Sequence, residues 1–389
     1  MKKSLLSFAV IAALASVASA SDVRISGFVN VVGGMNNLDP NDITTSNSYR
    51  GYDNKYDFQN ESLAAVQISG TIAENMGATI QLIAQNDPLK DNVRLEWGYI
   101  SYDLSDEARL LAGRIRPSTF LYSDYLDVGY AYNWITPPDE VYAQTTISNI
   151  DGLSIAYNLE LGDNVLTTTI YAGNTTDKAS IGGNPSDFAY DDVVGGEVAI
   201  SNDYAKLRVG YVQTNITSSF DMAGLVGGFG GDELNMNRSA ASFVGVGLNI
   251  DYEDIQFAAE YVSRTVDETA SANTRAYYGM FGYKIGDFTP NYTYASVSSS
   301  LNESDSSALA GATPVSAMVN TIRTRALDNR YSHTIGVRYE LNPQAALKLE
   351  YNRAKVTHSA YTATGIKKGF ITETDEDINT YRIALNVIF

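Results

Sequence analysis

Along most of the chain, apolar and polar residues alternate with a period of two. At 378–389, Tyr381, Ile383, Leu385, Val387 and Phe389 share one face, and Arg382, Ala384 and Asn386 share the other. Residues 334–341 set Ile335, Val337, Tyr339 and Leu341 against Thr334, Gly336, Arg338 and Glu340. The stretches 346–352 and 78–85 repeat the pattern. Successive side chains of an extended strand point to opposite faces, so each segment predicts a strand with one apolar and one polar side.

The connections between these segments alternate as well. Short turns are predicted near 74–77, 104–107, 162–164, 202–204, 252–254, 286–287 and 342–344. Long polar stretches lie at 35–60, 116–150, 173–190, 216–238, 299–330 and 358–377, and shorter connections at 87–91 and 266–273 occupy the same alternate positions. Seven turns and eight loops give sixteen strands, with 139–150 read as the tail of the preceding loop. Short turns on one rim and long loops on the other are the pattern of a barrel that crosses a membrane. A closed barrel and a helix are the two structures that satisfy their backbone in lipid. Beyond the N-terminus no apolar run approaches the ~20 residues a spanning helix needs. The predicted fold is therefore all-β: a transmembrane antiparallel β-barrel of sixteen strands, with short periplasmic turns and long extracellular loops.

The N-terminus reads differently. Lys2 and Lys3 precede an apolar run from Leu5 to Ala15, and Ala18-Ser19-Ala20 offers small residues for cleavage. Residues 1–20 are expected to be a removed signal peptide, leaving 21–389 as one barrel domain. Export without a single Cys means stability without disulfides. The 27 Tyr fit two bands of amphipathic rings at the membrane surfaces. Tyr102, Tyr204, Tyr252, Tyr283, Phe288, Tyr339 and Phe389 fall at the short-turn end, and Tyr171, Tyr211, Tyr261 and Tyr351 towards the other. A net charge of −18 disfavours a nucleic-acid partner, whose phosphates need basic surface.

A sixteen-stranded barrel is wide enough for an aqueous channel, so function depends on what narrows it. Residues 116–150 are long and aperiodic but rich in Tyr, Asp and apolar residues, as expected of an ordered, inward-folded constriction loop. Its acids are Asp124, Asp127, Asp139 and Glu140. Alternation turns Arg94 inward, opposite Val93, Leu95, Trp97 and Tyr99, and turns Arg114 and Arg116 inward, opposite Gly113 and Ile115. Acids facing these bases across a pore would orient polar solutes and set ion preference; the acids predict weak cation selectivity. Arg208, Arg338, Lys348 and Arg382 also face inward and read as members of cross-strand ion pairs. Catalysis finds no support: only His333 and His358 are present, and no nucleophile motif accompanies them. Asp375-Glu376-Asp377 reads as a solvated acid run, so no metal and no cofactor is called for.

The chain resembles the general diffusion porins of Gram-negative outer membranes, in strand count and loop order over its whole mature length. The strand carrying Tyr381 and the closing Phe389 is similar to that family's C-terminal assembly signal. The segment 94–102 resembles its fourth strand, and Ala112-Gly113-Arg114 the strand entering the constriction loop. Residues 122–130 and 137–142 look like that loop in a gammaproteobacterial branch. The Pro-Glu-Phe-Gly-Gly sequence of the enterobacterial loop is absent, and Ala65 stands where those relatives place a pore-lining Arg. The resemblance implies passive diffusion of small hydrophilic solutes and ions across the outer membrane. It also implies a homotrimer in outer-membrane lipid, assembled through the C-terminal strand. The alternatives are a substrate-selective channel or a barrel-type surface binding protein.

Overall fold

The computed structural model describes residues 23–39, 50–87, 90–145, 147–181, 184–221, 235–267, 271–301, 327–364 and 368–389; the expected signal peptide lies outside them. The first strands are β1 (Val23–Asn36), β2 (Leu63–Ala73), β3 (Met76–Gln85), β4 (Val93–Asp103), β5 (Ala108–Ile115) and β6 (Ile150–Leu161). They continue as β7 (Asn164–Ile181), β8 (Asn184–Ser201), β9 (Ala205–Ser218), β10 (Ser239–Tyr252) and β11 (Ile255–Val266). The last are β12 (Ala272–Tyr283), β13 (Phe288–Leu301), β14 (Asn329–Asn342), β15 (Ala345–Thr364) and β16 (Lys368–Ile388). Each pairs antiparallel with its neighbours, and β1 pairs with β16, so the sheet closes without an edge. Phe389 completes the seam. Its N–H donates to the Gly27 carbonyl at 3.0 Å, and its carbonyl accepts from the Gly27 N–H at 2.9 Å. Its ring lies 2.5 Å from where a Cβ on Gly27 would stand, so only glycine fits there.

The sixteen predicted strands are all present, and 139–150 holds a single-turn helix, α1 (Asp139–Tyr142), rather than a strand. Two predicted loops are corrected. Residues 173–190 and 358–377 are mostly strand, because β7–β8 and β15–β16 continue as paired ribbons. On β8 the alternation continues into this stretch: Ser186, Phe188 and Tyr190 are buried, and Asp187 between them is exposed.

Burial follows the expected alternation over most of the wall. On β14, Ser332 and Thr334 are buried, while Tyr331 and Ile335 are exposed. The exposed set, with members on every strand but β5 and including Leu349, Ile383, Val246 and Phe281, forms an uncovered apolar surface of the kind lipid covers. Among the predicted ring residues, Tyr102, Tyr204, Tyr252, Tyr211 and Tyr261 lie on this outer face. Tyr171 does not: it is buried, and its neighbour Ile170 takes the outer position.

Two local irregularities reverse the predicted faces near the loop. A register shift between Gln81 and Leu82 pairs Gln81 with Trp97 but Leu82 with Leu95, leaving Glu96 as the extra residue. A bulge changes parity, so Trp97 joins Arg94 and Glu96 inside, and Ile100 and Tyr102 turn out. On β5 the expectation is also inverted. Ile115 pairs with Ile150 and both are buried, which places Gly113 on their face of the strand and Arg114 on the other.

Candidate functional site: the loop across the lumen

The chain leaves the wall after Ile115 and rejoins it at Ile150. Gly113 makes the approach possible, because its φ of +132° is costly for any side chain and a Cβ would sit 2.5 Å from the Gly98 carbonyl. The loop then crosses the interior, held by two kinds of contact.

The first is apolar. Phe120, Leu121, Tyr122, Tyr132, Trp134 and Val141 join inward residues of the wall, such as Tyr171, Phe243, Val262 and Tyr278, in the largest buried cluster of the described residues. Ring contacts fix its centre: Phe120 stacks on Tyr142 at 4.6 Å, and Trp134 meets Tyr278 edge-on at 5.4 Å. Several buried donors and acceptors are met within the cluster. The Trp134 indole N–H donates to Thr293 Oγ1 at 2.8 Å. Glu260 accepts from the Leu121 N–H at 2.7 Å and from the Tyr142 hydroxyl at 2.8 Å.

The second is a set of wall cations that grip the loop's carbonyls. Lys348, fully buried, donates to the carbonyls of Gly129, Tyr132 and Trp134. An ammonium has three N–H donors, and here each finds an oxygen. Arg338 donates to the carbonyls of Tyr130 and Tyr132 and lies 4.6 Å over the Tyr130 ring. Arg208 holds Ser118 and Thr119 in the same way, and Arg264 holds Gln144. The predicted wall ion pairs are partly present, as Arg208–Glu197 at 2.8 Å and Arg382–Glu350 at 2.6 Å. The larger task of these bases, holding the loop, was not anticipated.

The predicted constriction residues are placed as follows. Arg94 faces inward and donates to Glu96 and Gln85, both at 3.1 Å. Arg114, pointing away from the buried Ile115, makes a two-pronged bond to Asp151 at 2.8 Å and lines the same mouth cavity as Arg94. Arg116 is buried beneath the loop, bonded to Glu96 at 2.7 Å and to Asp127, and stacked at 4.9 Å on Trp97. Asp127 therefore touches its base instead of facing it across water. Asp124 is exposed. Asp139 lies 3.4 Å from Arg50 of the first loop, and Glu140, fully buried, 3.8 Å from Arg330.

Sequence reasoning missed the first loop's share. Glu61 binds Arg382 at 2.7 Å and accepts from Thr136 Oγ1 at 3.0 Å and from the buried Tyr52 hydroxyl at 2.7 Å. Burial alone would raise the Glu61 carboxyl, but Arg382 and Arg50, with the Tyr52 hydroxyl, hold it below the usual glutamate range. Burial does prevail at Asp139, which is raised despite Arg50 and Arg330.

Cavities remain on both sides of the loop. Towards the long-loop rim, about 240 Å³ is lined by Glu61, Asp127, Tyr132, Thr136 and Asp139, among others. Towards the short-turn rim, about 330 Å³ lies beside Tyr125, Tyr130, Tyr132, Asp251 and Lys284. Tyr132 lines both, and its hydroxyl donates to the Leu126 carbonyl at 2.8 Å. A third cavity of about 350 Å³ opens at the mouth beside Arg94, where Lys90 reaches Asp177 at 2.8 Å within the same barrel.

A sequence profile of Gram-negative porins matches residues 7–359. The chain belongs to the Gram-negative porins. No curated protein matches it. Its fold resembles the outer-membrane channel DcaP of Acinetobacter baumannii at 13% identity, with 95% of this chain and 97% of that one covered and a TM-score of 0.58. Salmonella typhi OmpF, solved with daunomycin, gives 12% identity, 94% and 97% coverage and 0.56. An anion-selective porin from Comamonas acidovorans gives 13%, 95% and 99%, and 0.55. This porin is thus an outer-membrane channel protein of a Gram-negative bacterium, with a role in transport and not in catalysis. Its two histidines are engaged elsewhere: His333 with the Tyr292 hydroxyl at 2.7 Å and His358 with Glu376 at 2.9 Å. Asp375 and Asp377 face Lys355 at 2.7 Å and Arg353 at 3.3 Å, and no metal-binding cluster occurs among the described residues.

Proposed function

We propose that this porin is a passive diffusion channel for small hydrophilic solutes and ions, with a narrow path set by residues 116–149. The observation that carries this reading is the pair of cavities, one towards each rim, whose linings meet at Tyr132. Their volumes suit solutes at the small end of what protein cavities hold. The charges at the mouth of this path include Arg94, Arg114, Lys90 and Asp177, and its inner acids are Glu61, Asp127 and Asp139. Arg94, Asp127 and Asp139 are thus read as pore residues, whereas Arg116 positions the loop. Carboxylates rather than bases line the inner cavity, each with its arginine partner set behind the lining, and they support weak cation preference. A homotrimer, a cleaved leader before residue 21 and recognition of the Tyr381–Phe389 strand during assembly complete the reading, on the family resemblance.

A substrate-selective channel is the second reading, favoured by how fully the loop is packed: Val128 reaches Phe28, Ala65 and Ile83 on the side opposite the aromatic cluster. Reconstitution into a planar bilayer separates the outcomes. Stepwise, non-saturating conductance supports passive diffusion. Saturation by one solute class supports selectivity, and a bilayer without steps refutes both.

A further inference from the structure

The cavity on the short-turn side differs from the inner cavity of the long-loop side in its chemistry. Its charges cancel within its own walls: Lys284 binds Asp251 at 2.8 Å, and Arg338 binds Glu340 at 2.5 Å. The inner cavity of the long-loop side carries Glu61, Asp127 and Asp139 on its lining instead. A space whose ion pairs are already closed offers little net field to a free ion but keeps many hydrogen-bonding atoms. Those atoms are held in position. Gln256 donates to Asp251 at 3.1 Å and accepts from Asn133 at 2.7 Å. Asn249 accepts from the Tyr122 hydroxyl at 2.8 Å, and Glu340 from the Tyr130 hydroxyl at 3.2 Å. Opposite them the loop presents rings. Tyr125 is half-buried and braced edge-on by Tyr122 at 5.5 Å, and Arg338 covers Tyr130 at 4.6 Å and fixes it.

A planar ring beside preset amides and carboxylates, without net charge, matches one class of solute. Sugars carry hydroxyls that both donate and accept, which side-chain amides and carboxylates can grip in pairs. Their ring faces are C–H surfaces, which an aromatic plane covers. We infer that this cavity is a binding site for a neutral mono- or disaccharide, with Tyr125 as its stacking surface and Asp251, Gln256 and Asn249 as its hydroxyl-binding groups. The inference rests on the channel reading only for how a sugar arrives. Because it opens towards the short turns, a bound sugar acts on the path from the periplasmic side.

Calorimetry on the detergent-folded protein tests binding without any need for conduction. Sucrose and glucose are the neutral probes, with citrate and spermidine as charged controls. Saturable binding of at least one sugar, with neither charged control bound, is expected. Tyr125→Ala should weaken it about three- to tenfold, while Tyr204→Ala, on the outer surface, leaves it unchanged. In a bilayer, the same sugar should reduce ion current more from the short-turn side than from the other. Sugar binding without conductance steps would remove the channel reading and leave the site. Absence of binding for both sugars, or equal binding by Tyr125→Ala, overturns the site whatever the conductance.

Discussion

The loop across the lumen is held differently on its two flanks. Towards β7–β13 it buries rings and aliphatic chains in a continuous core, to which Arg208 and Arg264 add bonds to its carbonyls. Towards β14–β16 and the first loop it is bound by Lys348, Arg338, Arg382 and Glu61 through directed bonds. Apolar burial is non-directional and sums over area, so the first flank supplies adhesion. Charge-assisted bonds demand geometry and respond to protonation, so the second flank supplies register and a means of release. A constriction fastened by both is fixed in place on one side and adjustable on the other.

Four substitutions break or sharpen this contrast. Trp134→Ala opens a void in the core and should cost about 4 kcal/mol in the denaturant stability of the folded barrel. Lys348→Met leaves three buried carbonyls without their donor and should cost about 3 kcal/mol, with faster proteolysis between 116 and 149 while the heat-resistant barrel persists. Equal protease resistance in Lys348→Met and the parent would mean that the core alone holds the loop. Glu61→Gln removes the charge beside Arg382, and about 2 kcal/mol of loop stability should go with it. Glu61 is held below its unfolded value, so its contribution is complete above that value and is lost as pH falls through the lower, folded one. Single-channel records of the parent should therefore stay quiet from neutral pH to about pH 4 and flicker below it, whereas Glu61→Gln flickers at neutral pH. Flicker that begins near pH 6 in the parent would assign the release to another group. Tyr132→Phe loses only the bond to Leu126 and should cost about 1 kcal/mol, read as a slight increase in open-channel noise.

The strand map was legible because each membrane-spanning segment repeats its apolar face every second residue and short turns punctuate alternate ends. It failed where a local event breaks that logic. The extra residue at Glu96 reverses Trp97, and the inward turn after Ile115 reverses Arg114. Neither leaves a mark in a period-two reading, except Gly113, whose positive φ signals the close approach in hindsight. The inward direction of Arg208, Arg338, Lys348 and Arg382 was readable, but their partners were not, since backbone carbonyls of a distant loop carry no residue-type signature. The first loop's contribution was hidden for a similar reason: Tyr52 and Glu61 sit in a polar stretch with no period at all.

The central claim is that solutes pass between two cavities at Tyr132. The most direct measurement is the single-channel conductance of Tyr132→Ala beside that of the parent protein, in the same bilayer and salt. Removal of the ring that lines both cavities should join them and raise the conductance clearly above the parent value. An unchanged conductance, with the loop still resistant to protease, would place the path elsewhere and contradict the account.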